Sequence, residues 1–109
     1  MVAKFVINGK VLKDLIDPNE ERTINGILSY DGKTLQFLDC KSMSVRLTQK
    51  LKPINREKVL FRSKKFGDVL GLGSKDYLVV ITNDVIRFYN GEEKEENELP
   101  FEIEGHDYL

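Results

Sequence analysis

The stretch Tyr77-Leu-Val-Val-Ile-Thr-Asn-Asp-Val-Ile-Arg-Phe-Tyr89 decides the fold. Its first arm, residues 77–81, is the most apolar run in the chain, and its β-branched and aromatic side chains suit a buried pleated strand. Thr82-Asn83-Asp84 supplies turn chemistry, because short Asn and Asp side chains bond their own backbone. The return arm, Val85 to Tyr89, repeats the β-branched and aromatic composition. Together the arms predict a central antiparallel hairpin.

The same signals recur on either side. Ile24 to Tyr30 and Lys33 to Leu38 flank Asp31-Gly32, a favoured turn pair, with Leu28 and Tyr30 opposite Leu35 and Phe37. Val2 to Ile7 followed by Asn8-Gly9 predicts another strand and tight turn. Val11, Leu12, Leu15 and Ile16 fit one helical face as well as an irregular strand, until Asp17-Pro18-Asn19 breaks the pattern. Met43, Val45 and Leu47 alternate with Ser44, Arg46 and Thr48, the period of two expected where one sheet face meets solvent. Val59 to Phe61 and Val69 to Leu72 are short strand candidates, and Leu99-Pro-Phe-Glu-Ile103 suits an edge strand where proline's missing donor faces outward.

The expected fold is mainly β: a small antiparallel barrel or sandwich of about seven short strands with at most one or two short helices. A barrel is preferred because it covers its own edges. Residues 1–91 are expected to form the core, and residues 92–109 an acidic connection and C-terminal segment with an edge strand at 99–103. A chain of 109 residues can bury enough surface to fold without staples. The single cysteine, Cys40, excludes an intrachain disulfide framework. No apolar run approaches the ~18 residues of a membrane span, and the start lacks a signal peptide's apolar core, so a cytoplasmic location is expected.

Glu57-Lys-Val-Leu-Phe-Arg62 and the 77–89 stretch resemble strands of the bacterial pleckstrin-homology and GRAM-like families. That resemblance implies a bent seven-stranded barrel capped by a C-terminal helix, in families that often bind lipids or proteins.

Familiar catalytic and cofactor signatures fail on spacing. Gly67-Asp-Val-Leu-Gly71-Leu-Gly73-Ser74-Lys75 lacks the Gly-Lys-Ser/Thr order of a phosphate loop, so it reads as a tight turn. His106 is the only histidine, and with Cys40 it falls short of a four-ligand zinc site. Glu92, Glu93, Glu95, Glu96 and Glu98 do not follow a calcium-loop pattern. Asp31 and Asp84 sit in turn contexts. The expectation is therefore a non-enzymatic chain with no cofactor and no metal.

Charge is the better lead. The net charge of −1 conceals nine basic residues and one acid over 41–65, against one basic and eight acidic over 92–109. Lys50, Lys52, Arg56, Lys58, Arg62 and Lys65 form the candidate interaction surface. A protein partner or homo-oligomer is the leading expectation, which makes the chain an interaction or assembly module. The alternative is phosphate recognition on nucleic acid or an anionic membrane surface. The acidic stretch 92–98 is expected to act as a solvated spacer or as a shield over the basic surface.

Overall fold

Residues 77–89 form the predicted hairpin in the computed structural model, which describes residues 2–91 and 100–108. Strands β7 (Asp76–Ile81) and β8 (Val85–Asn90) pair antiparallel, with Val79 opposite Phe88 and Ile81 opposite Ile86. The Thr82 amide closes the turn by donating to the Val85 carbonyl at 2.9 Å. The 24–38 hairpin also forms in the predicted register: β2 (Gly26–Tyr30) and β3 (Leu35–Asp39) place Leu28 opposite Phe37 and Tyr30 opposite Leu35.

The remaining strands are β1 (Ala3–Asn8), β4 (Val45–Thr48), β5 (Leu51–Pro53), β6 (Val59–Ser63), β9 (Phe101–Glu104) and β10 (His106–Asp107). They build two five-stranded antiparallel sheets. The first has the order β5-β1-β7-β8-β9 and the second β10-β6-β2-β3-β4. The described residues thus hold ten short strands rather than about seven. The excess arises where the chain changes sheet: β4 leads into β5 across Gln49 and Lys50, and β9 into β10 across Gly105. At the second corner the Gly105 Cα lies against the Phe61 ring and the Arg62 carbonyl, where a Cβ has no room.

One buried cluster gathers Phe5, Ile7, Val79 and Ile86 from the first sheet with Leu28, Phe37 and Phe61 from the second. Phe5 and Tyr30 meet with ring centroids 4.8 Å apart, while Phe66 meets Phe37 edge-on at 5.1 Å. A second buried cluster, Val6, Leu78, Val80 and Tyr89, lies on the other face of the first sheet. There the register sets Lys52 beside Val6 and Val80 between Lys4 and Arg87. The aliphatic stems of such side chains can cover apolar neighbours while their charges reach water. Both faces are therefore apolar, which is why residues 77–81 show no alternation.

Two local readings are corrected. Asn8-Gly9 is not a hairpin turn: it opens α1 (Gly9–Ile16), and Asn8 Oδ1 caps the helix by accepting from the Lys10 amide at 2.9 Å. Asn is a strong cap, and the apolar face of residues 11–16 then favours helix over strand. Val69 to Leu72 is not a strand, because Phe66–Gly71 forms a 3-10 helix that the Leu72 amide closes onto the Val69 carbonyl at 3.0 Å. At the C-terminal end, where the resemblance implies a helix, residues 101–107 form strands β9 and β10. The acidic stretch 92–98 lies outside the described residues. Among those described, no helix is long and apolar enough to cross a membrane.

Candidate functional site

The second sheet has an inner face of Leu28, Tyr30, Phe37 and Phe61, each at most 2% exposed. On its outer face the register aligns Val45, Leu38, Ile27, Arg62 and His106 across five strands. Leu38, Ile27 and Leu60 are half-buried there, whereas Val45 and Leu47 at the β4 end are 56% and 59% exposed. Met43, in the turn before β4, is 69% exposed and holds a left-handed backbone at φ 57°. For a long side chain that conformation is strained. The alternation expected in this segment is present, but the face it turns to water is the apolar one.

Arg46 explains the inversion. The last carbonyls of a helix lack intrahelical donors. Arg46 Nε donates to the Leu15 carbonyl at 2.6 Å and Nη2 to the Ile16 carbonyl at 2.9 Å, at the end of α1. The guanidinium also lies 5.7 Å from the centroid of the Phe37 ring. Once Arg46 points inward, its neighbours Val45 and Leu47 must point outward, since strand side chains alternate.

β4 is also a free edge of its sheet among the described residues. The Asp39 amide donates to the Ser44 carbonyl at 2.9 Å, which makes 39 and 44 a hydrogen-bonded pair. Such pairs alternate along an antiparallel ladder, so 37 pairs with 46 and 35 with 48. The backbone N–H and C=O groups of Val45 and Leu47 consequently point away from β3. Beside this strand lies a groove of about 430 Å³, walled by Val11, Asp14 and Leu15 of α1 and by Arg46, Leu47, Thr48 and Lys50.

The basic candidates separate into groups. Lys50 and Lys52 share a shallow depression at the β4–β5 corner with Asn8 and Asp76. Arg56 and Lys58 are exposed in the loop before β6, where the Arg56 backbone sits against Gly32. Arg62 and Lys65 meet at the β6–β10 corner, beside Lys64, Glu104 and His106, around a depression of about 290 Å³. Arg62 Nη1 donates to the Tyr108 hydroxyl at 3.3 Å, and this bond, with the nearby Tyr108 and Cys40 groups, raises the guanidinium pKa further. Lys65 bridges Glu104 at 3.1 Å, an exposed pair of small energetic weight.

The other chemical candidates occupy structural positions. The Gly67 Cα abuts the Arg22 backbone, and the Gly73 amide donates to the Tyr77 hydroxyl at 2.8 Å rather than pointing into an open anion nest. Asp31 accepts from the Thr34 and Lys33 amides at 2.8 and 2.9 Å, and these bonds, Thr34's first, hold its carboxyl below the usual range. Asp84 faces the Thr82 hydroxyl within its turn at 3.2 Å. Among the described residues no three His, Cys, Asp or Glu side chains gather into a metal-binding group.

Sequence reasoning missed Met43, Val45, Leu47 and the inward Arg46. The available signal was a lone long cation between two small hydroxyl residues, Ser44-Val-Arg46-Leu-Thr48. No known protein family, curated protein or solved structure matches the chain.

Proposed function

We propose that the chain is a non-enzymatic protein-interaction or assembly module, and that its two sheets curve into one small, incompletely closed barrel whose β4 edge stays unpaired. Support for the barrel comes from β4–β5 and β9–β10, each linking an edge of one sheet to an edge of the other. Within this proposal β6 to β8 are the strands that resemble pleckstrin-homology and GRAM-like domains, while residues 101–107 form β9 and β10 where the resemblance implies a helix. The interaction role rests on one observation: an edge strand turns Val45 and Leu47 toward water next to a strained, exposed Met43. Exposed apolar side chains beside unpaired strand edges promote association, so a chain that keeps them without a partner is prone to aggregate.

A photo-crosslinking residue placed at Leu47, and at Lys33 as a control, tests this in living cells. The expected result is a discrete adduct from position 47 that yields the same identified protein in repeat experiments and is absent from position 33. Equal labelling from both positions overturns the proposal.

A second reading, phosphate recognition, is favoured by the Arg62, Lys64, Lys65 and His106 grouping at the β6–β10 corner. It expects the Lys64→Glu/Lys65→Glu variant to lose salt-sensitive binding to mixed-sequence RNA or to phosphatidylserine vesicles. If the folded variant binds both as the parent does, the corner is not a phosphate site.

A further inference from the structure

We infer that β4 receives an extended, acidic segment of a partner protein as an added strand. The inference rests on the interaction reading above and specifies its partner. The backbone groups of Val45 and Leu47 point away from β3, which offers two donors and two acceptors at the spacing of a ladder. An added strand lies ~4.8 Å from its neighbour. The space beside β4 is the groove bounded by Val11 and Leu15 on the helix side and by Leu47 and Lys50 on the strand side. Alternate side chains of the incoming strand would lie on the outer face, over exposed Val45 and Leu47 and half-buried Leu38.

Charge selects the occupant. Residues 41–52 contain Lys41, Arg46, Lys50 and Lys52 and no acid, and Asp14 is the single carboxylate lining the groove. An acidic segment is attracted to this edge and a basic one is repelled. A second copy fits poorly. Antiparallel pairing of β4 with itself that sets Val45 opposite Leu47 brings Arg46 of one copy directly opposite Arg46 of the other. Like charges at a strand pair destabilise it. Backbone pairing then supplies affinity, while the apolar and acidic alternation supplies specificity.

The experiment titrates the full chain with a capped hexapeptide of alternating Glu and Val. Three comparison ligands are its Lys-Val counterpart, a version N-methylated at alternate residues, and mixed-sequence RNA. Amide exchange is followed residue by residue. The expected result is slowed exchange at the Val45 and Leu47 amides, with the Glu-Val peptide binding at least about tenfold more tightly than the Lys-Val and N-methylated forms. Leu47→Pro removes an outward amide without breaking a bond to β3, and Leu47→Ala controls for the lost side chain; a folded proline variant should lose about the same factor relative to the alanine variant. Equal binding by the N-methylated peptide, or no peptide binding, overturns strand addition; an adduct from position 47 would still uphold the broader interaction role. Protection of both amides without peptide, rising with protein concentration, would assign the edge to a second copy. RNA that displaces the peptide and protects the same amides would assign it to phosphate. Either outcome overturns the inference.

Discussion

Arg46 reaches 31 positions back in sequence to the Leu15 carbonyl, so one side chain joins the second sheet to the end of α1. Hydrogen bonds from a charged donor contribute ~1.5–3 kcal/mol when their acceptors are otherwise unpaired. Arg46→Ala is therefore expected to lower unfolding stability by about that amount. Arg46→Lys should recover only part, because a lysine is a single point charge and lacks the planar fork. Urea unfolding measures both, and an unchanged midpoint for the alanine variant would contradict the anchoring role. Asp31 makes a prediction about pH. Its folded pKa lies below the unfolded value of about 4, so its charge stabilises the fold fully above that value. The contribution disappears as pH falls through the lower, folded value. Asp31→Asn should melt below the parent at neutral pH, and the gap should close in strong acid. A gap that persists there would assign the effect to shape rather than charge.

Among the elements, α1 depends on its cap. Asn8→Ala removes the acceptor for the Lys10 amide and is expected to cost about 1 kcal/mol, whereas Asn8→Ser should be nearly neutral. Equal losses in chemical denaturation would show that the cap contributes nothing. The two hairpins were legible because the turn chemistry and the facing side chains lie within about a dozen residues of each other. Leu28 opposite Phe37 and Val79 opposite Phe88 are local consequences of Asp31-Gly32 and Thr82-Asn83-Asp84. β4 was legible only in period. Alternation states that two faces differ, but which one turns inward depends on what waits inside. Here the determinant is a pair of helix carbonyls supplied by Leu15 and Ile16, invisible to any window around Val45. The basic segment shows the same limit, since 50–65 crosses a sheet corner and a loop and delivers its charges to separate places.

For the whole molecule, residues 101–107 are bound into both sheets, with β9 on β8 and β10 on β6, and Ile103 fully buried. A protease site engineered into 92–98 and then cut should leave the C-terminal fragment bound under native conditions, released only by denaturant. Release on cutting, seen by size-exclusion chromatography, would show that covalent linkage is what retains those strands. The position of β1 has a different consequence. It is paired on both sides, to β5 and to β7, with Phe5 opposite Pro53 and Val79. A ribosome adding ~5–20 residues per second makes Phe5 about 4–15 s before Val79. For that interval Phe5, Val6 and Ile7 are a nascent apolar strand without their principal neighbour, the kind of segment that a chaperone captures or that another nascent chain joins. Codon-dependent pauses between residues 9 and 75 are expected to prolong that exposure and so to lower the yield of folded protein, which expression from synonymous genes would measure.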